Sequence, residues 1–153
     1  IGAYSDCCMH PGGQAASCAW TTVTSPYTAT FAITDSKGEI VGSMWVWTPG
    51  GNWYDWLVID SLEGPIFKDN RRDKALEMVK AFARDLVEYG FSTIAIGRSI
   101  GVEYPQHWKD QRLPSDQMMP HPGGYSDARE TQYVIYTVDE YLLEDLMTGE
   151  ATS

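Results

Sequence analysis

The first twenty residues read IGAYSDCCMHPGGQAASCAW and hold all three cysteines of the chain, Cys7, Cys8 and Cys18, together with His10. These residue types bind zinc or attack carbon as a thiolate. Zinc takes four Cys or His ligands, usually in pairs a few residues apart. Cys7, Cys8, His10 and Cys18 supply the number and the types, although adjacent cysteines strain joint ligation, and His107 or His121 offers a further ligand. As a nucleophile, Cys8 would lie at the start of a helix QAASCAW opened by Gly12 and Gly13. Free N–H groups there lower a thiol's pKa; Cys18 in ASCAW is the other candidate nucleophile, with His121 or His107 as its base. The plain alternative is packing: Cys18, Ala15, Ala16 and Ala19 are small residues that bring a helix close to a sheet. A second chemical feature is basic. Lys68, Arg71, Arg72 and Lys74 put four of the eleven cations into seven positions, just before the strongest helical pattern. A helix N-terminus attracts anions, so cations placed there conflict with the dipole unless an anion binds. A solvated basic loop is the alternative.

The rest of the composition limits what these residues can serve. A chain of 153 residues with 43% hydrophobic and 21% charged residues is expected to be one domain over 1–153 with a full core. Because it begins with Ile, a longer parent polypeptide stays open. Net charge is −10, which argues against nucleic acid and anionic membrane as partners. No run of eighteen apolar residues suggests a membrane span. Three cysteines cannot all pair internally, so a reducing, cytoplasmic location is expected.

These residues must be positioned by elements that the pattern marks out. Residues 28 to 60 read as three antiparallel strands, divided by the turns DSKGE and TPGGN. Trp45 and Trp47 share a strand face by the period of two, and the cluster they form with Trp53 and Trp56 reads as core or as a stacking pocket. Ala75, Leu76, Val79, Phe82, Ala83 and Leu86 recur at helical steps with charges opposite. Asp73 or Asn70 is the candidate cap and Gly90 the terminator. STIAIG is a short strand, and the intervening helix makes it parallel to the last meander strand. Residues 98 to 124 read as an irregular excursion with a helical turn at 106–110, TQYVIYTV as a strand, and DEYLLEDLM as an amphipathic helix. The fold class is therefore α+β: a mixed sheet, antiparallel meander, helix crossover and parallel strand, with helices on both faces.

This order over residues 12 to 137 resembles the GNAT N-acyltransferase fold. The phrases SDCCMHPGGQAASC, GSMWVW, LVIDSLEG, FSTIAIGRS and GYSDARETQYVIY more narrowly resemble a phage-related and bacterial GNAT-like family. The resemblance implies acetyl-CoA or another acyl-CoA as donor, held between splayed strands LVID and TIAIG, and a small-molecule or protein amine as acceptor. It places the donor's pyrophosphate on the loop EGPIFKDNRRDK, at Gly64, Lys68, Arg71 and Arg72. The family's signature there is Gln or Arg followed by two close glycines, and this loop has no glycine between Lys68 and Asp73. It also implies Asp60 or Glu63 as general base and Tyr104 as acid. Two alternatives stand beside it: a non-catalytic interaction module of a larger protein, and a cysteine-dependent or metal-binding enzyme using the N-terminal segment.

Overall fold

In a computed structural model of the chain, residues 27–120, 128 and 130–148 are described. Strands β1 (Thr28–Thr34), β2 (Ile40–Trp47) and β3 (Trp56–Glu63) form the expected meander. Its first turn is built by Asp35, whose carboxylate accepts the N–H groups of Lys37 and Glu39 at 2.9 and 3.0 Å, while Gly38 takes φ +81°. Helix α1 (Arg72–Tyr89) crosses over to β4 (Thr93–Gly97), then the short helix α2 (Gln106–Lys109), β5 (Gln132–Thr137) and helix α3 (Val138–Thr148) follow. The sheet order is β1-β2-β3-β4-β5. All neighbours are antiparallel except β3 and β4, which run parallel, as a helical crossover requires.

Helix α1 buries Leu76, Val79 and Ala83 and exposes Glu77, Asp85 and Glu88, as its 3.6-residue period dictates. Its start differs from expectation. The cap residue is Arg71, without a side-chain cap, because Asp69 sits one turn earlier and accepts the Arg71 N–H at 2.9 Å. Gly90 ends the helix at φ +142° and returns its N–H to Leu86 and Val87.

The sheet carries two apolar layers. The first joins Met44, Val46, Ile59 and Ile96 to α1, Tyr104 and Trp108. Helices α1, α2 and α3 pack on this side, with α3 contacting both α1 and β5. The second layer holds Trp45, Trp47, Val58, Ala95, Met119 and Ala128, with Trp56 beside them. Core filling is thus the role of Trp45 and Trp47, while Trp53 stands outside the cluster at the turn, bridged to Gly50. The helix expected over this second face falls in residues 14–20, outside the described residues.

One buried side chain fastens the irregular segment to this face. The fully buried Gln132 accepts the Met119 N–H at 2.9 Å and donates to the carbonyls of Met119 and Ala128 at 2.8 and 3.1 Å. Ala128 in turn packs on Gly97, where an added Cβ would lie 2.6 Å from the Ala128 Cβ and 2.7 Å from the Asp60 carbonyl oxygen. Overpacking a rigid seam of this kind costs about 1–3 kcal/mol. Gly97→Ala is therefore expected to lower the denaturant midpoint by roughly 2 kcal/mol of stability; an unchanged midpoint would show that the seam can open.

Candidate functional site

Parallel strands leave their unpaired ends at the carboxyl side, where ligands of open sheets bind. Here β3 and β4 pair from Trp56↔Thr93 to Ile59↔Ile96, and the ladder then stops. A bulge causes the break. Opposite β2, Trp45 pairs with Ser61 and Val46 with Ile59, so Asp60 is an extra residue in β3. Bulges re-aim side chains and end pairing. Beyond it the Leu62 N–H donates to the Ser99 hydroxyl at 2.9 Å instead of to a strand carbonyl.

The hydroxyl is the start of a directed chain. The Gly97 carbonyl can only accept, so Tyr104 donates its proton there at 2.7 Å. Ser99 then donates to the Tyr104 oxygen at 2.7 Å while accepting from Leu62. Ser99 and Tyr104 are both buried. Of the strands LVID and TIAIG, expected to splay, the pairing runs through Ile59 and Ile96 and then stops, and the Ser99 hydroxyl meets the Leu62 N–H beyond that point.

A cavity of about 500 Å³ opens directly on this chain, lined among others by Arg98, Ser99, Tyr104, Lys109 and Tyr133. That volume is ordinary for a small-molecule site. Its mouth is cationic. Arg98 is exposed on the rim, and Lys68 reaches over Gly101, where a Cβ would meet its Cε at 3.3 Å and its Nζ at 3.7 Å. Lys109 is ion-paired to Glu103. The Lys109 ammonium holds the Glu103 carboxyl below the usual range through its hydrogen bond and charge, burial opposes, and Arg72 adds to the lowering.

The residues singled out from sequence are divided by this geometry. Asp60 is fully buried and accepts the Trp47 indole N–H at 2.7 Å, so it belongs to the second face. Glu63 pairs with Ser43, two residues from Trp45, and so shares that face in a half-buried position. Tyr104 packs in the first layer, and Lys68 lies against Gly101. Arg71 is tied to Asp69 at 2.6 Å, and Arg72 forms a longer, exposed pair with Asp73 at 3.4 Å. Gly64, at φ +110°, abuts Gly42 so closely that a Cβ there would lie 2.6 Å from the Gly42 Cα, and it is half-buried. Of the residues expected over 64–72, Lys68 is the one that lies against the lining of this cavity, at Gly101, and Arg98 lines the cavity as well.

Cys7, Cys8, His10 and Cys18, and the partner candidate His121, lie outside the described residues. Among the described residues, no group of three or more His, Cys, Asp or Glu is placed to hold a metal ion, and no helix is long and apolar enough to cross a membrane. Three features of this region have no counterpart among the sequence expectations: Ser99, the Trp47–Asp60 bond and the Gln132 clamp. Ser99 had a usable signal, because it follows the carboxyl end of a parallel strand directly.

The fold and site define an α+β protein with a mixed five-stranded sheet and a cavity at the end of its parallel pair. No family model matches the chain, and no curated protein matches it. Among solved structures, it is similar to the crystal structure of Tetrahymena GCN5, with a TM-score of 0.46 and 10% identity over 76% of this chain and 74% of that one. The likeness is remote, so the chemistry of the site rests on its own geometry.

Two measurements test that geometry. Ser99→Ala leaves the buried Leu62 N–H without its acceptor, at a cost of roughly 1–3 kcal/mol. Denaturation should register the loss, and hydrogen exchange should show selective deprotection of the Leu62 amide. Glu103 carries a lowered carboxyl pKa, so its contribution to stability is present above its ordinary value near 4.5 and fades as pH falls through the lower folded value. Lys109→Met should return the Glu103 titration, followed by NMR, to the ordinary range and remove that acid dependence.

Proposed function

We propose that the chain is an N-acyltransferase-like protein that takes an acyl-CoA donor and acts on an amine, of a small molecule or a protein. One observation carries the reading. The Leu62 N–H is turned out of the ladder at the end of the parallel strands and is met there by an oxygen, that of Ser99. A backbone N–H fixed in this way is a donor for a carbonyl oxygen on which charge develops during acyl transfer. The donor, when bound, supplies an activated thioester carbonyl.

The chain's own residues divide the remaining work across the sheet. Lys68 and Arg98 hold phosphate at the cavity mouth, where both extend without an ion pair among the described residues. Ser99 swings aside to yield the Leu62 N–H, and Tyr104 stays within reach of the same position through its 2.7 Å contact with Ser99. From the second face the amine approaches, and a carboxylate takes its proton. Glu63 is better placed for this than Asp60, since Asp60 is fully buried against Trp47. The residues fit a phosphate-bearing donor best at Lys68 and Arg98, since Arg71 and Arg72 on the loop 64–73 already have carboxylate partners.

A second reading has its own observation. Ser99 and Tyr104 already satisfy the groups at the break, as a module that binds a partner and catalyses nothing would need. The two readings separate on donor binding. Acetyl-CoA at about 100-fold its Kd adds roughly 2.7 kcal/mol, or about 5 °C or more in Tm for a chain of this size. Lys68→Ala with Arg98→Ala is expected to abolish the shift. No stabilisation of the wild type at millimolar acetyl-CoA would sink the acyltransferase reading.

A further inference from the structure

The cavity at the end of the parallel pair carries a carboxylate among its cations. Of the described residues that line it, Arg98 and Lys109 are cations and Glu103 is the one anion, with the Lys68 ammonium close by, against Gly101. Glu103 follows a tight turn, in which the Val102 N–H returns to the Ser99 carbonyl at 3.2 Å and Gly101 takes φ +77°. Lys109 comes from a different element. It is the last residue of α2, next to the buried Trp108, whose ring lies 5.5 Å from that of Tyr104. The root of the lysine is fixed to the same core as the Ser99–Tyr104 chain, while its four-carbon stem is free to turn.

At the tip of that stem the ammonium donates to the Glu103 carboxylate. The pair is open to water, with Lys109 34% and Glu103 69% exposed. Pairs this exposed add little stability, so the effect of the bond is to occupy Lys109. Glu103 also loses little by letting go. Its carboxylate is mostly hydrated, and the charge of Arg72 acts on it as well, so release leaves it neither buried nor unopposed.

We propose that Glu103 is a built-in competitor for Lys109 and sets the charge a ligand must carry: a doubly charged phosphate takes Lys109 from it, and a singly charged anion does not. It rests on the reading of the cavity mouth as a phosphate site, to which it adds a third cation and a threshold. Charge and proximity decide the exchange. A carboxylate six positions from its lysine competes at an effective concentration on the order of millimolar. A free monoanion offers Lys109 the same single charge and has no electrostatic advantage. A phosphate monoester carries close to two charges above its second pKa of about 6, and at the mouth it meets Arg98 and Lys68 as well. On binding, the Lys109 Nζ leaves the Glu103 Oε1 for a phosphate oxygen, and Glu103 turns to water and Arg72.

Methyl phosphate and methyl sulfate, alike in shape and different in charge, separate the two cases at about pH 8. NMR titrations of the full chain at about 0.15 M salt, where distant charges are screened, provide the measurement. The wild type should bind the phosphate about tenfold more tightly than the sulfate, with the Lys109 side-chain signals moving for the phosphate alone. Glu103→Gln, at an exposed position, should keep its Tm and bind the sulfate about fivefold more tightly than the wild type does, losing most of the preference. In a Lys109→Met background the same substitution should change nothing, because the competitor then has nothing to hold. A gain that persists without Lys109 overturns the proposal, as does a folded Glu103→Gln with the wild-type preference. A wild type that binds neither probe, even well above the effective concentration of the tethered carboxylate, overturns it equally. Acetyl-CoA tests the acyltransferase reading separately. Stabilisation by acetyl-CoA with an unchanged preference in Glu103→Gln removes the competitor alone; the expected probe pattern without any effect of acetyl-CoA removes acyl transfer and leaves the competitor standing.

Discussion

Backbone N–H and C=O groups in a protein interior must find partners, and this structure depends on how that demand is met at the end of the β3–β4 ladder. The Asp60 bulge stops the pairing at Ile59 and Ile96, yet the chain stays buried for several residues more. Leu62 and Gly97 therefore need partners that the strands no longer provide. Ser99 and Tyr104 supply them, and that need fixes the path of the chain after β4 and opens the cavity beside it. The close contact of Gly97 with Asp60 and Ala128 draws the irregular segment onto the opposite face, where Gln132 secures it. Site and scaffold are one set of hydrogen bonds.

Charge is arranged with the same economy. An acidic chain has few cations to spend, and several are committed locally: Arg71 to Asp69, Arg72 to Asp73, Arg84 to Glu144 and Asp145, Lys109 to Glu103. Exposed pairs of this kind contribute little stability each. Their effect is on position: they decide which cations remain to meet an anion and which way a helix turns. Lys68 and Arg98 stay available at the cavity, and α3 is rotated so that its leucines face solvent.

Much of the fold was legible because it is written in periods. The meander shows alternation and glycine turns, and α1 shows 3.6-residue repeats ended by Gly90. The parallel pairing then follows from the crossover. The site was less legible because it is made of single residues without a period. Apart from the place of Ser99 just after a parallel strand, nothing around Ser99, Gln132 or Asp60 in the sequence says that a hydroxyl will replace a ladder bond, that an amide will clamp a loop, or that a carboxylate will sit under an indole. The basic loop is a related case: Lys68, Arg71 and Arg72 look alike in sequence, and the aspartates beside Arg71 and Arg72 separate them in the structure. Likewise DEYLLEDLM announces an amphipathic helix, but its inward face is chosen by Arg84, sixty positions earlier in the case of Glu144.

The hydroxyl that closes the end of the ladder has a consequence for timing. Freeing the Leu62 N–H begins with rotation about a single side-chain bond of Ser99. The rotation breaks two hydrogen bonds worth about 1 kcal/mol each, so the open rotamer is a minor population. Apparent affinity for anything that needs that N–H falls in proportion to that population, while opening itself is faster than the collective motions that gate many enzymes. A site built this way resists a ligand through its equilibrium, and hardly at all through its rate of opening.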